Sequence, residues 1–168
     1  MRQLLLKRLR NQKGLTLIEL LAVIVILGII AAIAVPSIPG IIDNSKKDAH
    51  VANAQQMINA TKLAVVGNPD LLNLATDQRV PLGYLINEGY IEKFSDPDTS
   101  SDYKGVGDTD IVSATTDDGA NADDQLKSYV EVTKSDNTYS YKVRLEGISR
   151  GILAPTSEDN LDRTKVTE

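Results

Sequence analysis

Apolar and polar residues alternate along this chain in three distinct ways. From Leu15 to Val35 the sequence LTLIELLAVIVILGIIAAIAV carries only two polar side chains, Thr16 and Glu19. At a helical rise of about 1.5 Å per residue, such a run is long enough to cross a hydrocarbon core of about 30 Å. A buried helix of a soluble domain is the alternative, and the lack of a polar face argues against it. Pro36 and Pro39-Gly40 follow, and they predict a kink or local unwinding, or else a helix end and a linker. Ile41 to Val66 then contains neither proline nor glycine, and Val51, Ala54, Ile58 and Val65 recur at helical spacing with Met57 and Ala64 beside them. That pattern favours one continuing helix, stopped by Gly67-Asn68-Pro69.

Beyond Pro69 the pattern shortens. Asp70 to Ala75 and Pro81 to Asn87 read as short helical pieces anchored by Leu71, Leu72, Leu74, Leu82, Leu85 and Ile86. Later the period becomes two: Tyr139, Tyr141, Val143 and Leu145 alternate with Ser140, Lys142, Arg144 and Glu146, and Ser128, Val130 and Val132 alternate one strand earlier. Ser135-Asp136-Asn137 supplies turn chemistry between them, so Lys127 to Gly147 is expected to be a hairpin. Two strands alone are marginal. A third is expected from Gly147 to Leu153 or from Arg163 to Val166, and the hairpin is expected to pack on the helix. The fold class is therefore α+β, a long N-terminal helix packed against a small antiparallel sheet.

Charge adds a direction. Arg2, Lys7, Arg8, Arg10 and Lys13 precede Gly14 with no acidic residue among them, and a basic flank beside an apolar run is held in the cytoplasm. Without residues 1–14 the 18 basic residues become 13 against 23 acidic, a net charge of −10 rather than −5. An acidic chain lacks the basic face that phosphate contacts need, so no nucleic acid is expected to bind directly. The absence of cysteine excludes thiol nucleophiles, thiolate metal sites and disulfides. A conventional secretory signal, cut near Ala31, Ala32 or Ala34, is a second reading of the apolar run.

Glu19 distinguishes the two. A carboxylate in a membrane span costs on the order of 2.5 to 3.5 kcal/mol on insertion scales, so it calls for protonation or a partner. Gly14-Leu15-Thr16-Leu17-Ile18-Glu19 and the apolar run after it resemble the type IV prepilin motif, in which a peptidase cuts after the glycine. The likeness spans roughly Lys13 to Ser37. It takes in Gly28, the stretch Ala31 to Val35, and Pro36 in the place of that family's helix-bending proline. Leu15 departs from the phenylalanine usual at the first mature position but remains large and apolar. The resemblance implies cleavage between Gly14 and Leu15, methylation of the new Leu15 amino group, and assembly roles for Glu19 and Pro36. Glu19 would pair with the amino terminus of a neighbouring subunit, since an opposite charge is what a desolvated carboxylate needs to stay ionised.

Two further features are candidates for chemistry. Asp96, Asp98, Asp102, Asp108, Asp110, Asp117, Asp118, Asp123 and Asp124 face Lys104 alone across one segment. Major pseudopilins of type II secretion carry a head-domain calcium site, and Asp117, Asp118, Asp123 and Asp124 are the residues to hold one here. The spacing fits no EF-hand, however, and a solvated loop without metal is the expectation. Gly89-Tyr90-Ile91 followed by Asp96-Pro97 loosely resembles the region after the long helix in Gram-positive pilin-like proteins. His50, the only histidine, is expected at the surface of the helix. No nucleophile, base and orienting group can be named together, so no enzyme and no cofactor are expected.

The resulting division is a basic leader at 1–14, a transmembrane or filament-core half-helix at 15–36, its amphipathic second half at 37–67, and an α+β head at 68–168. The expected function is a structural subunit of a type IV pilus, with adhesion and motility the roles such pili serve. Its partners would be identical or related pilin subunits, prepilin peptidase, and the membrane with its pilus assembly platform. It would sit in the cytoplasmic membrane as a single-pass precursor with its N-terminus inside, and at the cell surface once assembled. The alternatives are a pseudopilin of a type II secretion or competence DNA-uptake system, and a monomeric membrane-anchored extracellular binding domain.

Overall fold

In a computed structural model the chain is described over residues 16–68, 77–113, 126–136 and 138–168. It divides into two units, 1–42 and 43–168. Gly14, Leu15, the aspartates at 117, 118, 123 and 124, and the helical piece expected at Asp70 to Ala75 lie outside the described residues.

Helix α1 runs from Leu17 to Gly67. It continues unbroken through Pro36 and Pro39, so the local unwinding that the prolines predict does not occur. Each proline lacks the N–H that would reach back four residues, to Ala32 and Val35 respectively. Nearby, Ser37 Oγ donates to the Ile33 carbonyl at 3.1 Å. In the first unit the large apolar side chains from Leu17 to Ile42 are exposed, and the helix has a window with mean hydropathy 3.0 of which nothing is buried.

In the second unit the remainder of α1 buries His50, Ala54, Met57, Ile58, Ala60, Thr61, Ala64 and Val65. The steps of three and four residues place these on one face. Strand β1 (Gln78–Pro81) leads directly into helix α2 (Leu82–Asn87), then come β2 (Val112–Ser113), β3 (Tyr129–Ser135), β4 (Thr138–Glu146) and β5 (Gly151–Ser157). The sheet is antiparallel throughout, in the order β2-β1-β3-β4-β5. The β3–β4 pair realises the expected hairpin, from Tyr129↔Arg144 to Ser135↔Thr138. Asp136 sits in its turn at φ 53°, a conformation that aspartate tolerates.

The third strand is β5, which starts at Gly151 rather than Gly147 and includes Pro155 at the sheet edge, where a missing N–H is tolerated. Arg163 to Val166 is not a strand. Arg163–Lys165 form a 3₁₀ turn, and Thr167 beyond it bridges to Gly151. The core joins the α1 face to Val80, Leu82, Leu85, Tyr103, Val130, Val132, Val143, Leu145 and Ile152.

Candidate functional site

Two places in the described chain hold polar groups in an apolar setting. The first is the start of α1. Thr16 and Glu19 form a reciprocal cap: the Thr16 backbone N–H donates to Glu19 Oε2 at 2.8 Å, and the Glu19 N–H donates to Thr16 Oγ1 at 3.3 Å. Thr16 Oγ1 also donates to Glu19 Oε2, at 2.9 Å. This is the capping box, threonine at the N-cap with glutamate three residues on, and it satisfies backbone donors that a helix start leaves without partners. Both Thr16 bonds use Oε2, which leaves Oε1 open among the described residues. Glu19 therefore has a local partner that the sequence reading overlooked, although the spacing Thr-x-x-Glu was there to find. Pro36, the other expected assembly residue, lies inside the helix well away from this cap.

The second place is in the head, and it overturns two expectations. His50 is not at the surface: it is fully buried, one helical turn before Ala54 on the same apolar face. Its Nε2 lies 2.9 Å from Asp98 Oδ2 and 3.7 Å from Asp96 Oδ1. Its Nδ1 lies 2.8 Å from the Tyr103 hydroxyl, and the two rings meet edge to face with centroids 5.5 Å apart. Asn53 Nδ2 donates to the Tyr103 oxygen at 3.1 Å. The Tyr103 oxygen thus accepts from Asn53, and its bond with Nδ1 runs in either direction according to which imidazole nitrogen carries the proton. Burial pushes the Tyr103 phenol pKa up, so it stays protonated.

The beginning of the aspartate-rich segment is likewise not a solvated loop. Asp96 is fully buried, and its two oxygens accept from the backbone N–H groups of Asp98 and Ile148, each at 2.8 Å. Asp98 receives Arg150 bidentately, Nε to Oδ2 and Nη2 to Oδ1, both at 2.7 Å. The same guanidinium donates to Asp43 on α1 at 2.5 Å. Hydrogen bonding to Arg150, aided by His50, holds the Asp98 carboxyl well below the usual carboxylate range. The segment 95–103 and the β4–β5 turn are thus fastened to α1 through charged groups rather than through apolar packing alone. Asp102 and Asp110, by contrast, are exposed.

Comparison with known proteins bears on the N-terminus. Residues 9–35 match the family model described as the prokaryotic N-terminal methylation motif, the leader signature of type IV pilins and pseudopilins. No curated protein and no solved structure matches the chain. The motif supports a type IV pilin-like or pseudopilin precursor, and the apolar helix that follows fits a membrane-anchored one.

Proposed function

We propose that this chain is a structural subunit of a type IV pilus, inserted once in the membrane, cut after Gly14, methylated on the Leu15 amino group and polymerised through α1. The observation that carries the reading is the methylation motif at 9–35 running straight into an exposed apolar helix whose acidic residue lies in its first turn. An exposed run of this hydropathy needs lipid or other apolar helices around it, and a filament core supplies the latter after the membrane supplied the former. The head, with no cysteine and a mostly aliphatic core, is the exported part.

Glu19 is the assembly residue in this account. Its Oε2 is held by Thr16, and its open Oε1 accepts the positively charged amino group of Leu15 from a neighbouring subunit. That pairing neutralises a carboxylate in an apolar bundle and sets the axial register of adjacent helices. A monomeric anchored receptor has no neighbour to register against.

The test separates cap from charge. Glu19→Val removes both, whereas Glu19→Gln keeps a capping-box side chain and loses the charge. Both variants are expected to insert and to be processed normally, and both to be missing from the sheared-filament fraction on immunoblots. Glu19→Gln in filaments at wild-type levels means that the charge has no assembly role.

A further inference from the structure

We propose that His50, Asp96 and Asp98 form a binding site for a divalent transition metal of the zinc class, with His50 Nε2, Asp96 Oδ1 and Asp98 Oδ2 as ligands. One ligand atom from each of the three residues lies within 4.8 Å of the other two, and two of the three side chains are fully buried. Ligands about 2.1 Å from a shared ion stand roughly 3 to 4 Å apart, which is the spread of 2.9 and 3.7 Å measured from Nε2.

The charge balance supplies an independent reason for a cation. Arg150 offsets Asp98, but among the described residues Asp96 has no lysine or arginine within 4 Å and is held by two backbone N–H groups and the more distant His50. Buried charges are paired or bind metal. The vertex shared by the three ligand atoms is where a cation reaches both carboxylates at once. Metal on Nε2 requires the neutral imidazole to carry its proton on Nδ1, where the Tyr103 oxygen is in place at 2.8 Å to accept it while the phenol hydrogen turns away from the ring. Asp98 is 10% exposed, so water has a way to the remaining coordination position. An imidazole among the ligands selects zinc, cobalt or nickel over calcium and magnesium, which take oxygen ligands.

The experiment uses the full-length chain purified in detergent and stripped with EDTA. Zinc at about a hundred times its dissociation constant is expected to raise the Tm by about 5–10 °C, with one equivalent bound and no response to calcium or magnesium. Asp96→Asn and His50→Gln are expected to abolish that shift, whereas Asp159→Asn, at an exposed position, keeps it. Cobalt titrated into the wild-type chain reads the site without any substitution, and X-ray absorption at its edge is expected to show one imidazole and otherwise oxygen ligands. Failure to retain zinc at micromolar concentrations overturns the proposal and leaves His50 as a hydrogen-bonding partner of Asp98. A zinc shift that survives in both variants, or a cobalt signal without imidazole, overturns it too.

Discussion

Arg150→Ala tests the charged fastening of the head most sharply. Arg150 makes two 2.7 Å bonds to Asp98 and a third to Asp43. Removing one partner of a fully buried ion pair costs about 3–5 kcal/mol. Asp98 keeps His50 Nε2 at 2.9 Å and Lys46 at 3.6 Å and is slightly exposed, so the expected loss is smaller, about 2–3 kcal/mol. In urea titrations of the fragment 43–168, which retains Asp43, that corresponds to a midpoint lower by about 1–2 M. The sign of the pH dependence follows from the depressed Asp98 carboxyl. A group whose folded pKa lies below its unfolded value of about 3.9 contributes above that value and loses its contribution as pH falls toward the folded pKa. At pH 3 the gap between wild type and variant should therefore narrow by about 1 kcal/mol. A loss under about 0.5 kcal/mol at pH 7, or a gap that widens in acid, refutes the fastening role.

Other substitutions probe other parts of the account. Gly83→Ala places a Cβ 2.3 Å from the carbonyl oxygens of Val106 and Asp108; both are backbone, so a loss of about 3 kcal/mol is expected in the same titration. Tyr103→Phe removes the hydroxyl between His50 and Asn53 and should cost about 1–2 kcal/mol while leaving the far-UV circular dichroism unchanged. Gly14→Leu should leave the precursor uncut in the membrane fraction, visible as a slower band on an immunoblot.

Periodicity reached α1 and the β3–β4 hairpin because both are long and patterned. It missed β1, whose four residues Gln78-Arg79-Val80-Pro81 contain a proline and too few positions to show alternation, yet which lies between β2 and β3. It left two candidates for β5, and the nearer one began four residues early, since Gly147 to Arg150 is the turn whose Arg150 reaches back to Asp98. His50 was legible in part. Counting back four residues from Ala54 puts it on the buried face, but its partners Asp96, Asp98 and Tyr103 lie about fifty residues away and no local pattern announces them. The aspartate-rich segment misled for the same reason: composition says solvated, whereas two backbone N–H groups and one arginine bring its first two carboxylates inside.

The central claim is that the methylation motif at 9–35 is used, giving a subunit that begins at Leu15. Mass spectrometry of the chain isolated from its native membrane, with fragmentation of the N-terminal peptide, reads this directly. The account expects a mature N-terminus at Leu15 carrying one added methyl group on its amino nitrogen, and no peptide from residues 1–14. An intact N-terminus, or one created near Ala31 to Ala34 as a conventional signal would give, contradicts it.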